Sequence, residues 1–133
     1  MLFDIAMPIL GFDDLKKVKL TKIDELFMKL DNVESDKPSF TLINPFMLRD
    51  YDIELPDSAK QILQLDENAN VLVLNIMIVN SQIENSTINF IAPLVFNVDK
   101  NLVGQVILDS NKYTNYGIMD SLSNFIKTDE IYE

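Results

Sequence analysis

Residues 92–109 read APLVFNVDKNLVGQVILD, two apolar runs joined by a short polar segment. The runs at 94–98 and 102–108 are rich in Val, Ile, Leu and Phe, which suit the pleated surface of a β-sheet. The residues between them, DKN, have the chemistry of a turn. The stretch therefore predicts a β-hairpin. Because apolar residues point to both faces of each strand, both faces should be covered, and little is left on the hairpin for chemistry.

Further β-rich runs recur along the chain, separated by turn residues at short intervals, as in a β-sandwich or a β-barrel. They lie at 2–6, 17–23, 27–30, 40–44, 51–55, 71–79 and 87–92. The run at 71–79, VLVLNIMIV, is apolar on both faces and should be a central strand. Pro93 cannot donate a ladder hydrogen bond, so we expect a bulge or bend between 87–92 and 94–98. The prediction is a mainly β fold in one domain, residues 1–133.

Two segments are predicted to be helical. In LPDSAKQILQL, residues 55–65, Asp57 or Ser58 can cap a short helix that leans on the sheet. Its apolar face would carry Ala59, Ile62 and Leu63.

The second predicted helix is the C-terminal segment, residues 118–133. Ile118, Leu122, Phe125 and Ile126 have the spacing of one apolar stripe on an amphipathic helix. The stripe should be buried either on the protein's own sheet or against another chain. The segment ends in acidic residues, which oppose the helix dipole there and would be relieved by a basic partner.

Composition limits the chemistry that the chain can perform. It has 133 residues, enough for one domain with a sizeable core, and it has no histidine and no cysteine. Thiol catalysis, disulfides and thiolate metal sites are therefore excluded, and so is the side chain most often used as a general acid or base near neutral pH. Any catalysis would rest on carboxylates, Lys, Tyr or Ser.

Charge limits the partners. The chain carries 11 Lys and Arg against 21 Asp and Glu, a net charge of -10. This charge repels a phosphate backbone, so we expect no direct nucleic-acid binding and favour basic proteins as partners. The first residues lack the basic region of a secretory signal, and the longest apolar run is about half of what spans a bilayer. We therefore expect a cytoplasmic protein with no membrane segment.

No metal site, cofactor or catalytic residue is predicted. Asp66, Asn68 and Asn70 have the spacing of the first calcium ligands of an EF-hand loop, but the required Gly and Glu are missing further along. Asp99 and Asn101 with Gly104 come nearly as close, but position 5 is Val103 and position 12 is Ser110, so the bidentate carboxylate is again missing. Adjacent acidic pairs, such as Asp13 with Asp14, are typical of a solvated surface and do not place two carboxylates across a cleft.

Two polar positions are of more interest. Asn75 is the one polar residue inside VLVLNIMIV, where a buried amide must find hydrogen-bond partners and can fix the register of a strand. Asn44 and Pro45 end the strand at 40–44 in a turn and place Phe46 just beyond it. Phe46 then belongs either to the core or to a binding surface.

Five pieces in order, ILGFDDL at 9–15, INPF at 43–46, VLVLNI at 71–76, APLVFN at 92–97 and GQVILD at 104–109, are followed by Tyr113. Together they resemble the flagellar assembly factor FliW family over about residues 9–113. Two departures stand out. Met7 and Pro8 replace a more glycine-rich approach to Gly11, and the segment after residue 117 follows no pattern of the family.

The resemblance implies a non-enzymatic bacterial protein with a small β-barrel-like fold that binds flagellin in the cytoplasm. The resemblance also implies that the protein binds CsrA, an RNA-binding repressor of flagellin translation, and that CsrA and flagellin compete for it. The predicted partner-binding residues are Asn44, Pro45 and Phe46 at the turn, together with Ile118, Leu122, Phe125 and Ile126 on the apolar stripe of the predicted C-terminal helix. The alternatives are a carboxylate-dependent hydrolase, a small-ligand-binding β-barrel, and a structural subunit of an acidic complex.

Overall fold

The computed structural model describes residues 1–126, which form a closed seven-stranded β-barrel with two further short strands beside it. The strands are β1 (Leu2–Met7), β2 (Lys17–Lys22), β3 (Phe27–Asn32), β4 (Ser39–Ile43), β5 (Val71–Ile78), β6 (Thr87–Ile88), β7 (Leu94–Asn97), β8 (Leu102–Gln105) and β9 (Asp120–Ser121). One helix, α1 (Asp57–Ile62), and 3₁₀ turns at Pro45–Met47, Ile83–Asn85 and Leu122–Asn124 accompany them. The predicted mainly β, barrel-like fold with a short helix is confirmed.

Pairing between β4 and β5 closes the barrel. The order around the ring is β4, β3, β2, β1, β8, β7 and β5, and all neighbours are antiparallel except β1 and β8. The closing ladder is short: Thr41 pairs with Met77, Leu42 with Ile76, and Ile43 with Asn75. Closure removes the free edges that an open sheet would expose.

The barrel interior is a packed apolar core. Each of the seven strands sends buried side chains into one cluster, and the connection between β1 and β2 adds two more that plug one end. The buried members are Phe3, Ile9, Leu15, Val18, Leu20, Leu30, Leu42, Leu74, Leu94, Phe96 and Val103. Phe3 and Phe96 meet edge to face with ring centroids 5.0 Å apart. Side chains therefore fill the barrel, as in other small barrels.

A second apolar core lies on the outside of the barrel. The outward side chains of β4, β5 and β7 form its floor, and the segments 44–65 and 106–126 cover it. Its buried members are Ile43, Tyr51, Ala59, Leu63, Val73, Met77, Ile88, Phe90, Val95, Val106, Leu108 and Leu122. β5 is thus covered on both faces, which confirms the prediction of a central strand from VLVLNIMIV. The residues at the end of β5, Ile78 and Val79, are exposed and lie outside this cover.

The short helix α1 contributes to this cover. Ala59 and Leu63 are buried as predicted, but Ile62 is exposed. The predicted side-chain cap is wrong: the N-cap is Pro56, and Asp57 lies in the first turn, where its charge favours the helix dipole.

A wide bulge interrupts the strand that follows β5. Met77 pairs with Ile88 of β6 and Leu74 pairs with Leu94 of β7, so residues 89–93 face only two residues of β5. Pro93 ends the bulge, in agreement with the predicted break. The run predicted at 87–92 is therefore a strand only at Thr87–Ile88.

The hairpin predicted from residues 92–109 is confirmed as β7 and β8. Asn97 pairs with Leu102, and the side chain of Asn97 accepts hydrogen bonds from the backbone N–H groups of Asp99 and Lys100. Asn101 has φ of 56°, a conformation that Asn tolerates in turns. On β8, a Cβ at Gly104 would come within 2.6 Å of the Met7 side chain, so only glycine allows β1 and β8 to approach this closely.

The predicted strand at 51–55 is wrong. The segment forms no strand, and tyrosine hydroxyls take the place of a partner strand. The N–H of Asp52 donates to the Tyr116 hydroxyl at 2.9 Å, and the N–H of Glu54 donates to the Tyr113 hydroxyl at 2.7 Å. The hydrogen-bond partners of this segment are therefore side chains more than fifty residues away in the sequence.

The predicted C-terminal helix is also wrong for the residues that the structure describes. Asp120–Ser121 form β9, which pairs with β6, and Leu122–Asn124 form a 3₁₀ turn. Pairing with β6 extends the backbone at the point where a helix would need to begin. Residues 127–133, with the acidic end, lie outside the described residues.

We predict that Asn97→Asp destabilises the fold more at neutral pH than at acidic pH. The amide Nδ2 of Asn97 donates to the carbonyls of Leu63 at 2.8 Å and Gln64 at 3.1 Å, which joins the end of α1 to the hairpin. A buried carboxylate would face those oxygens without a proton, at an expected cost of about 2 to 4 kcal/mol. Protonation of this carboxylate at acidic pH would restore one hydrogen-bond donor to the two carbonyls.

The measurement is urea unfolding of wild type and variant at pH 7 and at the lowest pH where wild type stays folded. Asn68→Asp, on an exposed side chain, adds the same charge and serves as the control. A cost for Asn97→Asp that matches the control, or does not change with pH, would contradict this account.

Candidate partner-binding surface

The turn after β4 has the geometry that the sequence predicts. The side-chain oxygen of Asn44 accepts the N–H of Phe46 at 3.0 Å, and Pro45 occupies the first position of the 3₁₀ turn. Pro45 is buried, whereas the Phe46 side chain is 56 % exposed. Phe46 is therefore not a core residue, and its role in binding stays a prediction.

The exposed ring of Phe46 rests on a rigid support. It meets Tyr51 edge to face, with centroids 5.8 Å apart, and Met47 beside it is also exposed. We refer to Phe46 and Met47 as the aromatic turn. A large apolar side chain held in a fixed orientation is a suitable anchor for a protein partner.

Tyr51 joins the aromatic turn to the second core. Its buried hydroxyl donates to the carbonyl of Phe90, and the amide of Asn75 donates to that hydroxyl at 3.3 Å. Asn75 also donates to the carbonyl of Asn89 at 2.8 Å. Burial raises the pKa of Tyr51 to about 12, because a tyrosinate would lose its hydration there. The buried Asn75 thus has the structural role predicted for it, in that it binds the bulge at 89–93.

Arg49 holds the same region against the C-terminal segment. Its guanidinium lies over the rings of Phe90 at 5.1 Å, Tyr116 at 4.7 Å and Phe125 at 5.5 Å. It also donates to the carbonyl of Asn115 at 3.2 Å. Cation–π contacts of this kind are stronger where the cation is partly desolvated. The aromatic turn is therefore supported from two distant parts of the chain.

The structure separates the four residues of the predicted stripe. Leu122 is fully buried in the second core, and Phe125 and Ile126 pack against that core. Ile118 is 64 % exposed. Of the two possibilities for the stripe, burial on the protein itself applies fully to Leu122 and partly to Phe125 and Ile126, and of the four only Ile118 is mostly exposed.

Ile118 lies on an apolar groove of about 640 Å³ that no sequence pattern indicated. We call it the mouth groove, because Phe40 and Ile76 line it and also pack against the interior core. Its other apolar walls come from the connection after β1, the end of β5, the bulge and the segment after β8. These walls are Ile9, Leu10, Phe12, Met77, Ile78, Val79, Ile91, Ala92, Ile107 and Ile118.

The mouth groove lies where the barrel opens. The ladder between β4 and β5 ends at Thr41 and Met77, although β4 begins at Ser39 and β5 continues to Ile78. Beyond the ladder the two strands are not paired with each other, and the side chains on both line the groove. The sequence shows each of these short segments but not that they meet, so only the fold reveals the groove.

The two loops with partial calcium-binding spacing are joined to each other by hydrogen bonds. Both carboxylate oxygens of Asp99 accept hydrogen bonds from Asn70, one from the backbone N–H at 2.9 Å and one from the side chain at 2.8 Å. These bonds lower the pKa of Asp99.

Among residues 1–126, no three His, Cys, Asp or Glu side chains are grouped as a metal site would require. Within the same residues, no helix is long and apolar enough to cross a membrane.

Comparison with known proteins agrees with this architecture. The family model described as FliW protein matches residues 1–117. The chain belongs to the FliW family. It is 50 % identical over 129 residues to flagellar assembly factor FliW 2 of Wolinella succinogenes, covering 97 % of this chain and 95 % of that protein. It is 44 % identical over 127 residues to flagellar assembly factor FliW of Sulfurimonas denitrificans, covering 96 % and 99 %.

The barrel also matches a solved structure. A crystal structure of the flagellar assembly factor FliW superposes with a TM-score of 0.83 at 31 % identity, over 96 % of this chain and 87 % of that one. The family match ends at residue 117, just before Ile118.

We predict that the protein loses stability between pH 10 and pH 12 through Tyr51. The pKa of Tyr51 is about 12 in the folded state against 10.0 for a free tyrosine, so the unfolded state releases this proton first as pH rises. The contribution is complete below pH 10 and should fall by about 2 to 3 kcal/mol by pH 12.

Urea unfolding across this range compares wild type with Tyr51→Phe. The variant should be less stable below pH 10 by about 1 to 3 kcal/mol, because its partners lose a hydrogen bond, but its stability should depend less steeply on alkaline pH. Tyr113→Phe, which leaves Tyr51 in place, should keep the wild-type slope. Equal slopes for wild type and Tyr51→Phe would show that Tyr51 ionises normally.

Proposed function

We propose that this flagellar assembly factor is a cytoplasmic, non-enzymatic protein that binds flagellin and antagonises the translational regulator CsrA. In this scheme flagellin and CsrA compete for the factor, and export of flagellin releases the factor to restrain CsrA. The translation of flagellin is thereby linked to its level. The observation that carries the proposal is the near full-length similarity to two proteins named as flagellar assembly factors, at 50 % and 44 % identity.

Binding is better supported than catalysis. The chain has no histidine and no cysteine, and the strongly raised pKa of Tyr51 belongs to a side chain that supports the second core. The alternative of a small-ligand-binding barrel is disfavoured because apolar side chains fill the barrel interior. The alternative of a carboxylate-dependent hydrolase is disfavoured because adjacent acidic pairs such as Asp13 with Asp14 are typical of a solvated surface.

The aromatic turn is a suitable contact for flagellin. Asn44 and Pro45 fix its backbone, and Phe46 presents an exposed ring on the rigid support of Tyr51. An aromatic anchor that is already ordered loses little conformational entropy when it binds. Ile118 is a second exposed apolar contact from the predicted set.

We predict that Phe46→Ala weakens flagellin binding by about tenfold or more, since a buried aromatic anchor contributes more than 1 kcal/mol at an interface. Its effect on stability should be small, about 1 kcal/mol or less, because the ring is mostly exposed and loses mainly its contact with Tyr51. Isothermal titration calorimetry gives the affinity and thermal unfolding gives the stability.

Leu2→Ala is the matched control for this variant, since Leu2 is 51 % exposed and lies on β1, which β2 and β3 separate from β4 and the aromatic turn. Phe46→Ala and Leu2→Ala with the same flagellin affinity would remove the aromatic turn from the interface. A large loss of stability in Phe46→Ala would show that the ring supports the fold more than its exposure indicates.

Charge should steer the association with CsrA. The factor has a net charge of -10, and CsrA must hold RNA, which requires a basic surface. Attraction between opposite charges raises the association rate and is screened over about 8 Å at physiological salt. The same negative charge disfavours direct binding of nucleic acid by the factor and keeps RNA away from a CsrA molecule that is bound to it.

We predict that the association rate constant for CsrA falls by about tenfold or more between low salt and about 0.5 M NaCl, while the dissociation rate changes much less. Stopped-flow or surface plasmon resonance measurements at several salt concentrations provide both rates. Flagellin measured under the same conditions serves as the comparison. Association with CsrA at a rate independent of salt would rule out steering by charge.

A further inference from the structure

We propose that the mouth groove binds a segment of a partner protein that carries apolar side chains flanked by Lys or Arg. The proposal concerns a surface distinct from the aromatic turn and does not depend on which protein supplies the segment. Its basis is the combination of an open apolar groove with uncharged walls and acidic surroundings.

The groove exposes an unusual amount of aliphatic surface. Leu10, Ile78, Ile107 and Ile118 are between 63 and 72 % exposed, and all four line the same groove. Scattered exposed aliphatic residues are ordinary on protein surfaces, but a contiguous group of this kind is typical of an interaction site. Covering these side chains would remove apolar surface from water and so supply affinity.

The walls of the groove are already in place. Phe12 meets Phe40 edge to face with centroids 5.0 Å apart, which joins the connection after β1 to β4. The backbone N–H of Leu10 donates to the side-chain oxygen of Gln105 at 2.7 Å, which holds the same connection against β8. A partner therefore does not need to order the site, and little binding energy is lost in preorganising it.

The polar side chains of the groove are largely engaged within the protein. Gln105 accepts from Leu10 and donates to the carbonyl of Ala92 at 3.2 Å. Asn89 accepts the N–H of Ala92 at 3.1 Å, and Ser39 donates to Asp31 at 2.6 Å. Small-molecule sites usually place several free polar groups to orient their ligand. The groove offers mainly apolar contact, which suits side chains of a polypeptide better than a polar metabolite.

Acidic residues surround the groove, although none lines it. Phe12 separates the groove from a surface with three carboxylates, those of Asp13, Asp14 and Asp36. A fourth, that of Asp120, follows Ile118 by two positions in the chain. Lys37 lies among the first three.

The acidic surroundings are not neutralised by ion pairs. Among residues 1–126, the ion pairs join Lys17 to Asp4, Lys22 to Glu25, Lys29 to Asp31 and Lys112 to Glu54. None of the four carboxylates beside the groove belongs to these pairs, although the ammonium of Lys16 lies 3.3 Å from the carbonyl oxygen of Asp13. A segment with Lys or Arg beside its apolar side chains would therefore meet opposite charge next to the groove.

The experiment uses two synthetic peptides with the same Leu and Ile positions and a terminal Trp, one with Lys and one with Glu at the polar positions. The protein contains no tryptophan, so peptide fluorescence reports binding without a label on the protein. We expect the Lys peptide to bind with a dissociation constant below about 100 μM, and the Glu peptide to bind at least about tenfold more weakly.

Substitutions test the location. Ile78→Ser and Ile118→Ser should each weaken binding of the Lys peptide by about fivefold to tenfold, as expected for losing part of a buried aliphatic contact. Ile23→Ser removes an equally exposed isoleucine that does not line the groove, and it should change affinity by less than about twofold. All three changes are neutral, so non-specific attraction to the acidic chain is the same for each.

Equal weakening by Ile23→Ser and Ile78→Ser would overturn the proposed location, and equal affinity for both peptides would overturn the proposed charge preference. Failure of the Lys peptide to bind at millimolar concentration would overturn the proposal as a whole. Flagellin and CsrA are titrated in parallel. If the protein binds the Lys peptide but neither flagellin nor CsrA, the proposed function is refuted and the groove proposal stands. If it binds flagellin and CsrA but not the Lys peptide, the groove proposal is refuted and the proposed function stands.

Discussion

The three residue pairs between β4 and β5 are the constraint on which the remaining structure depends. They convert a curved sheet into a closed barrel, and the last pair, Ile43 with Asn75, lies beside the turn at Asn44. Asn75 is buried at this point and donates to Tyr51 and to the bulge at 89–93. The other end of the ladder stops at Thr41 and Met77, and the mouth groove begins there. One short ladder therefore sets the position of both exposed apolar surfaces.

The two apolar cores occupy the barrel interior and one of its outer faces. The interior cluster fills the space between the strands, and the second cluster covers one outer face with irregular segments. Irregular segments leave backbone groups without ladder partners, and here side chains take that role: the hydroxyls of Tyr113 and Tyr116 accept from the segment after the aromatic turn. Among the buried side-chain nitrogen and oxygen atoms of the described residues, only the side-chain oxygen of Asn75 has no hydrogen-bond partner. Such a network fixes the aromatic turn without a regular element beneath it.

Local signals in the sequence were sufficient for most strands and for the hairpin, because alternation, turn residues and proline act over a few positions. They failed where the decisive partner is distant. The run at 51–55 alternates like a strand, but its backbone N–H groups bond to tyrosine hydroxyls. The stripe from Ile118 to Ile126 has helical spacing, but the short strand β9 within it pairs with β6. The exposed turn at Phe46 was one of two alternatives that a local pattern allows. The mouth groove could not be predicted at all, since its walls come from five separate parts of the chain.

The acidic charge has a further consequence for a protein that exposes apolar side chains. Two copies of the chain that met groove to groove would bring two net charges of -10 together, and the carboxylates around each groove would face one another. Like charges at an interface cost free energy, so this arrangement is disfavoured although the apolar contact itself is favourable. A basic partner gains from the same charges. The charge thus discriminates between partners of similar apolar character, and the exposed groove can remain open to them without drawing copies of the protein together.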